Sequence, residues 1–474
     1  MLPDVALLGI FDFYMDALHE DHIEGWHTLV HVCRKWRIVV FWSPRRLNLR
    51  LLCTASTPVR KMLDVWPLLP IVIQQYDDDY YNWGVDNICA ALEHKDRICD
   101  LWLVDFPSSR SQMEEVLAEM QRPFPALTCL HLLTDENWLV IPVSFLGGSA
   151  PRLQILHLCG ILFPGLSNLL LSATQLVDLD LCIIPLSEYI SPETMLSYFS
   201  ELTRLERLKI DFESPQSLPD HQRSRDPLLL TRTLFPVLKK LCLEGVSEYL
   251  DGLVACIDTP LLNTLVVTVA DEPIFNTPQL VHFINRTPTL KAQDEARLVF
   301  EPDVDAWITF PQAFGGKIRV EIASSPSNQL LSLAQLCSSS IPQPFISAVE
   351  HLYVVEGAPH DERLRGDIEK SPAQWLELLR PYTAVKNLYI SWQFAPHIAL
   401  TLQELVGERV TEVLPALQTL FLEKIPPVES IQEPVEQFVA ARQLAGHPIA
   451  ISPWKCTKDV CEETDDGYGC IVED

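Results

Sequence analysis

The chain has 474 residues, of which 48% are apolar, and it carries 63 acidic against 36 basic side chains, a formal net charge of −27. That apolar content excludes global disorder and suffices for about two or three domains or one long repeat array. A surface this acidic disfavours nucleic acid as a direct partner, because phosphate recognition relies on Lys and Arg releasing counterions, whereas a basic partner would be attracted.

Leu2-Pro3-Asp4 opens an apolar run over residues 5–14 that predicts a first helix. In residues 29–41, Leu29, Val32, Cys33, Trp36 and Val40 recur at spacings of three and four. That spacing places them on one side of a second helix, with Arg34, Lys35 and Arg37 between them. Two such helices form a hairpin too thin to bury both of its faces. A partner chain would take up the excess apolar surface. The alternation Leu47-Asn48-Leu49-Arg50-Leu51 then predicts a first strand. Residues 57–66 read as a helix capped by Thr57 with Pro58 at its first position, and 68–73 as a second strand.

From residue 98 a short unit recurs with apolar residues at positions 1, 4 and 6. It appears as Ile98-Leu101-Leu103, Leu127-Leu130-Leu132, Leu153-Leu156-Leu158 and Leu176-Leu179-Leu181. It continues as Leu205-Leu208-Ile210, Leu238-Leu241-Leu243 and Leu262-Leu265-Val267. It returns as Val349-Leu352-Val354, Val385-Leu388-Ile390 and Leu417-Leu420-Leu422. Pro introduces several units, as at Pro125, Pro151, Pro236, Pro260 and Pro415. The last two apolar residues flank one position, so they share one face of a short strand, and the first sits in the entering turn. Each unit exposes an apolar face that only stacked neighbours can cover. Helical segments fall between units, at 194–201, 250–257, 279–285 and 372–379. Ser191-Pro192 and Ser371-Pro372 place Ser and Pro where a helix starts.

This pattern resembles the L-x-x-L-x-L portion of leucine-rich repeats, whose period is roughly 20–29 residues. The resemblance implies an α/β solenoid, a horseshoe of parallel strands from about Leu47 to Ile451. A doubly wound α/β sheet would show continuous Val/Ile runs instead. Region 270–345 is degenerate, with strands at 298–300 and 318–322. Residues 214–227, with Pro215, Pro219 and Pro227, form a surface loop. A helix over 434–444 stopped by Gly446, and a strand over 448–452, would cap the stack. The acid-rich tail beyond Trp454 is expected to be disordered.

Thirteen cysteines are scattered without a framework, several of them inside apolar runs, which suits a reducing compartment. No basic segment precedes the first apolar run, so no signal peptide is expected. No apolar stretch approaches the roughly 18 residues of a membrane span, and no membrane association is expected. There is no G-x-x-x-x-G-K-S/T, G-x-S-x-G or H-E-x-x-H, so no catalytic residue, no metal and no cofactor is assigned. His19, His22, His27 and His31 are dense, and His27 and His31 share a helical face where two imidazoles could chelate zinc, but those two read as polar-face residues of the second helix, since a site needs further converging ligands. Cys456, Cys461 and Cys470 with His447 fit no zinc spacing. The acidic aromatic run Tyr76-Asp77-Asp78-Asp79-Tyr80-Tyr81 reads as a connection that could instead be a binding loop.

Leu2-Pro3, Leu7-Leu8, Ile10-Phe11 and Val32-Cys33-Arg34-Lys35-Trp36-Arg37 together resemble an F-box, over about residues 2–45. Continuation through Ser43-Pro44-Arg45-Arg46-Leu47 is similar to a large group of fungal F-box-like proteins. The resemblance implies an all-α F-box-like domain over 1–46, an irregular leucine-rich array with its cap over 47–454, and an acidic tail over 455–474. It also implies a substrate receptor, linking a target protein to a cullin–RING ubiquitin ligase through a Skp-type adaptor, in cytoplasm or nucleus, with catalysis on other subunits. The positions it marks for adaptor contact are Leu2, Pro3, Leu8, Ile10, Leu29, Val32, Cys33 and Trp36. The alternative is a leucine-rich interaction scaffold outside the ubiquitin system, in which the same residues pack against 47–51 as a cap. The target's identity is not encoded in the repeat pattern.

Overall fold

A computed structural model describes residues 2–17, 25–54, 56–75, 84–105, 110–134, 139–184, 191–212, 232–269, 277–301, 305–312, 315–323, 328–357, 372–405, 407–423 and 429–455. His19, His22, the run 76–81, the loop 214–227 and Cys456, Cys461 and Cys470 lie outside the described residues. The chain divides into two compact units, Met1–Glu213 and Ser214–Asp474.

The first unit is built on a turn. The N–H of Leu127 donates to the carbonyl of Phe124 (3.2 Å), and that of Leu153 to the carbonyl of Ala150 (3.1 Å). Pro125 and Pro151 follow those carbonyls, where a ring that fixes φ suits a tight turn. The residue after the turn leucine bonds across to the previous unit: Gln154 N–H to Thr128, Val177 to Gln154 and Glu206 to Val177, each at 2.8 Å. This chain of bonds sets the register of the strands that follow.

The helices here are α1 Asp4–Ala17, α2 Gly25–Val32, α3 Arg34–Trp42, α4 Val59–Val65, α5 Val85–Leu92, α6 Arg110–Glu119, α7 Leu166–Ser172 and α8 Pro192–Phe199. The strands are β1 Leu51–Cys53, β2 Ile71–Gln74, β3 Ile98–Asp105, β4 Cys129–Thr134, β5 Leu139–Val140, β6 Ile155–Cys159, β7 Ile161–Leu162, β8 Asp178–Ile184 and β9 Arg207–Phe212. β5 and β7 form a small parallel pair of their own. The others make a parallel sheet in the order β1-β2-β3-β4-β6-β8-β9. Leu101, Leu130, Leu156, Leu179 and Leu208 stand directly beside one another in register. All five are buried. Ser191 caps α8 by accepting the N–H of Thr194 (3.2 Å), with Pro192 at the first turn.

The second unit contains α9 Ser247–Ala255, α10 Pro278–Arg286, α11 Gln329–Ser339, α12 Gln343–Ala348, α13 Pro372–Leu379, α14 Ala395–Gln403 and α15 Glu429–Leu444. Its strands are β10 Thr233–Leu234, β11 Lys240–Gly245, β12 Ile257–Asp258, β13 Thr264–Val269, β14 Glu295–Phe300, β15 Asp305–Pro311, β16 Lys317–Ala323, β17 His351–Glu356, β18 Asn387–Ile390, β19 Thr419–Glu423 and β20 Ala450–Trp454. β10 pairs only with β12 among the described residues. Leu241, Leu265 and Ile318 continue one ladder, and Leu352, Leu388, Leu420 and Ile451 another.

Four expectations are corrected. The stack is not parallel throughout: β15 runs antiparallel to both β14 and β16, and β16 rather than β14 pairs with β13. The residues 47–50 coil rather than extend, because Leu47 N–H bonds Ser43 O (3.1 Å) and Leu49 N–H bonds Pro44 O (2.9 Å). Their leucines are nonetheless buried, and only 51–53 form a strand. Thr57 caps no helix: its hydroxyl accepts the N–H of Thr54 (3.1 Å). The N-terminal region is three helices rather than a two-helix hairpin, because Cys33 is fully extended at φ −160°, ψ 167° and separates α2 from α3. That break scatters the expected stripe. Leu29 and Val40 turn inward, Trp36 is half-buried, and Val32 and Cys33 are exposed. At the other end, Gly446 stops α15 as expected, at φ +81°. Its N–H bonds Gln443 O and the next N–H bonds Arg442 O.

Leu179 sits mid-ladder with leucines on either side. Leu179→Ala is expected to cost about 2–5 kcal/mol, the range for buried leucine truncations. Urea denaturation of the full chain reads it directly. A cost below about 1 kcal/mol would mean that the ladder is not a packed core.

Candidate functional site

The N-terminal helices divide their faces. Inward, Trp26, Leu29, Val30, Val39 and Val40 are buried. The indole N–H of Trp26 donates to the carbonyl of Arg50 (2.9 Å), just before β1. Trp66, which follows α4, meets Trp26 edge-on at 5.2 Å and stacks flat on His27 at 5.1 Å. Two aromatic residues thus fasten α2 to the start of the sheet. α1 is held by buried Leu7 and Phe11, with Phe11 edge-on to Trp36 at 4.9 Å. Lys35 adds a salt bridge to Asp4 (3.0 Å) and a bond to the Leu2 carbonyl (2.8 Å), and Arg46 pairs with Asp12.

Outward, these helices present Leu2, Val5, Ile10, Phe13, Val32, Ile38 and Trp42 to solvent, Phe13 at 77% and Trp42 at 84% exposure. Of the residues marked from sequence, Leu2, Pro3, Ile10, Val32 and Cys33 are exposed, Leu8 and Trp36 half-buried, and Leu29 buried. Sequence reading missed Trp26, which carries the attachment, and Val5, Phe13 and Trp42. An indole three residues before Leu29, in line with the same apolar stripe, was the available signal. His27 and His31 both lean on Trp66.

The second surface is the face of each sheet opposite the leucines. It is read from the single position between the last two apolar residues of each unit. In the first unit those positions are Trp102, His131 and His157. Trp102 stacks on His131 (4.3 Å, 9° between planes), and His131 meets His157 edge-on (4.4 Å). His157 Nε2 lies 3.2 Å from Asp178, which also takes Arg207 (2.7 Å). Burial pushes the His131 imidazole down to about 3, reinforced by His157 and partly opposed by Asp178. Burial also works against the Asp178 carboxylate, yet hydrogen bonds from His157 and Arg207 outweigh it and hold its pKa below the ordinary value. Cys129 Sγ lies 3.0 Å from His131 Nε2. Burial, with Asp100 beside it, pushes that thiol up. The pair is a thiol beside a neutral imidazole, not an activated thiolate.

In the second unit the same position carries Tyr353, Tyr389 and Phe421. Their rings stack at 4.2 and 4.3 Å, within 9° of parallel. Trp454 stands nearly perpendicular to both tyrosines, at 6.0 and 5.6 Å, and its indole N–H bonds the carbonyl of Ile390 (3.2 Å). Beneath them Val299, Trp307 and Val355 are buried on this same face. The Arg319 guanidinium lies 3.9 Å over the Trp307 ring and pairs with Glu321 (2.8 Å). Burial raises the Tyr353 phenol to about 12, helped by Glu295 and Tyr389, so the ring stays neutral. The result is a half-exposed strip of pre-ordered rings.

No protein-family profile matches the chain, and no curated protein matches it. Among solved structures it is similar to the leucine-rich repeat-containing protein LegL7 from Legionella pneumophila, at 14% identity and a TM-score of 0.26, over 84% of this chain and 98% of that one. The leucine-rich character of this chain rests on its own ladders, in which the leucines of successive units stand in register and are buried.

Proposed function

We propose that the chain is a substrate receptor whose N-terminal helices dock on a Skp-type adaptor while the repeat face holds a target protein. One observation carries the reading. The inner faces of α2 and α3 are already buried within the chain, yet Val5, Ile10, Phe13, Val32, Ile38 and Trp42 remain exposed. Large apolar side chains grouped on short helices favour a protein partner. In this reading the chain performs no chemistry itself, and ubiquitin transfer belongs to the cullin–RING subunits. A scaffold outside the ubiquitin system is the second reading. The fastening of Trp26 to Arg50 and Trp66 favours it, since a cap would be fastened in that way.

The two separate in one experiment. Ile10→Asp and Val32→Asp act on exposed side chains, so the melting temperature should hold while adaptor affinity falls about tenfold or more, as when interface anchors are lost. Trp36→Ala should lower both, because Trp36 also packs on Phe11. A parent chain that fails to bind the adaptor leaves the scaffold.

A further inference from the structure

We infer that the target-binding face of the second unit recognises an arginine side chain on an extended segment of the target, held between the indole of Trp454 and the carboxylate of Glu423. The inference rests on the receptor or scaffold reading of the repeat face. It starts from ring geometry. Tyr353, Tyr389 and Phe421 use their ring faces on one another. Tyr389 is stacked on both faces, so what it offers Trp454 is its edge, at an interplanar angle of 75°; Trp454 meets Tyr353 at 67°. Ring edges are electropositive and meet the electronegative face of a perpendicular ring. The indole is fixed there by its N–H on Ile390, packs against the cluster of Val299, Trp307 and Val355, and stays half-exposed.

The exposed part of a half-buried indole offers the strongest of the aromatic platforms for a cation. Glu423 is the direct register partner of Trp454 on the neighbouring strand, so the two side chains stand side by side. Glu423 accepts the backbone N–H of Trp392 (3.3 Å), which orients the carboxylate without neutralising it. Three basic residues near the strip are paired elsewhere: Arg297 with Glu295 (2.7 Å), Lys386 with Glu350 (2.7 Å) and Arg319 with Glu321. The same face already holds one guanidinium in this manner, Arg319 over Trp307. The net charge of −27 supplies the long-range attraction for a basic partner. A planar guanidinium suits the site better than an ammonium, since it can stack on the indole while donating to the carboxylate.

The test uses the full chain and three fluorescent probe peptides in which glycine alternates with arginine, with lysine or with glutamate, read by anisotropy. The arginine probe should bind, more tightly than the lysine probe, and the glutamate probe should not. Glu423→Gln and Trp454→Leu should each weaken arginine binding about tenfold. Glu93→Gln, a carboxylate of the other unit, should leave it unchanged. Trp454→Leu also strips packing from Val355, so Glu423→Gln, which keeps the indole in place, decides the matter. Absence of arginine-probe binding, equal binding by the Glu423→Gln chain, or an equal loss with Glu93→Gln would overturn the inference. Adaptor affinity, measured separately, is independent of this site. Its loss with arginine binding retained removes the receptor reading alone, and the converse removes the arginine site alone.

Discussion

Arg442→Met should destabilise the second unit by roughly 3 kcal/mol or more, because it breaks a buried hydrogen-bond network at several acceptors at once. Arg442 lies on α15, is fully buried, and has no carboxylate against it among the described contacts. Its guanidinium instead donates to four backbone carbonyls: Val410 (3.1 Å), Leu414 (3.4 Å), Pro415 (3.4 Å) and Leu417 (3.1 Å). Three of these belong to the turn that launches β19. Leu414 there adopts a left-handed φ of +51°, which is costly for a side chain with a Cβ. Methionine fills the volume but removes all four bonds, and of these carbonyls Leu414 alone, among the described residues, keeps a backbone donor in the turn, the N–H of Leu417 (3.1 Å). Burial lowers the pKa of Arg442 without neutralising it, so the carbonyls meet a charge. Lysine should not rescue, because one ammonium cannot reproduce the fork. The readout is the urea midpoint of Arg442→Met and Arg442→Lys. Full stability in the lysine variant would show that charge alone, and not the fan of bonds, matters.

Trp26→Ala is the second large effect expected, about 3–5 kcal/mol, as for other buried aromatic truncations. The indole contacts Trp66 and Phe41 and bonds the Arg50 carbonyl. Its loss opens a cavity among α2, α3 and Trp66 and leaves the Arg50 carbonyl without this donor. Trp26→Phe restores much of the volume but not the donor, so it should recover roughly half. Hydrogen exchange at Leu51 and Cys53, which follow Arg50, separates this from a remote effect: their protection should drop in Trp26→Ala. Unchanged protection there would mean that the helices merely lean on the sheet.

The leucine ladders were legible because two apolar residues flanking one position must share a strand face, and only a neighbouring unit can cover them. The aromatic strip was legible in principle, at the intervening positions of Leu352-Tyr353-Val354, Leu388-Tyr389-Ile390 and Leu420-Phe421-Leu422. It went unread because an intervening residue has no periodic partner in its own unit; its neighbours are brought in by stacking. The break at Cys33 was invisible because the three-and-four spacing of apolar residues runs on through it in the sequence, although the extended residue re-aims the helix that follows. β15 escaped because Asp-Ala-Trp-Ile-Thr-Phe-Pro buries consecutive residues on both faces and has no leucine triad. Strand direction, moreover, leaves no mark on alternation. Trp26 was missed because its partners lie in the connection to the sheet and after α4, beyond the reach of any local period.

The reversed strand changes how this chain can assemble. A simple repeat array grows from any point, each unit completing the one before it. Here β13 leaves the ribosome with one edge open, and the next strand made, β14, does not close it. Only β16 does, after β14 and β15 have formed and the chain has doubled back. At synthesis rates of roughly 5–20 residues per second, that edge waits for seconds, exposed to pairing with other chains. The three strands consequently form one cooperative block that cannot be trimmed or duplicated one unit at a time. Folding of the second unit is therefore gated at its middle, however readily its flanking ladders zip.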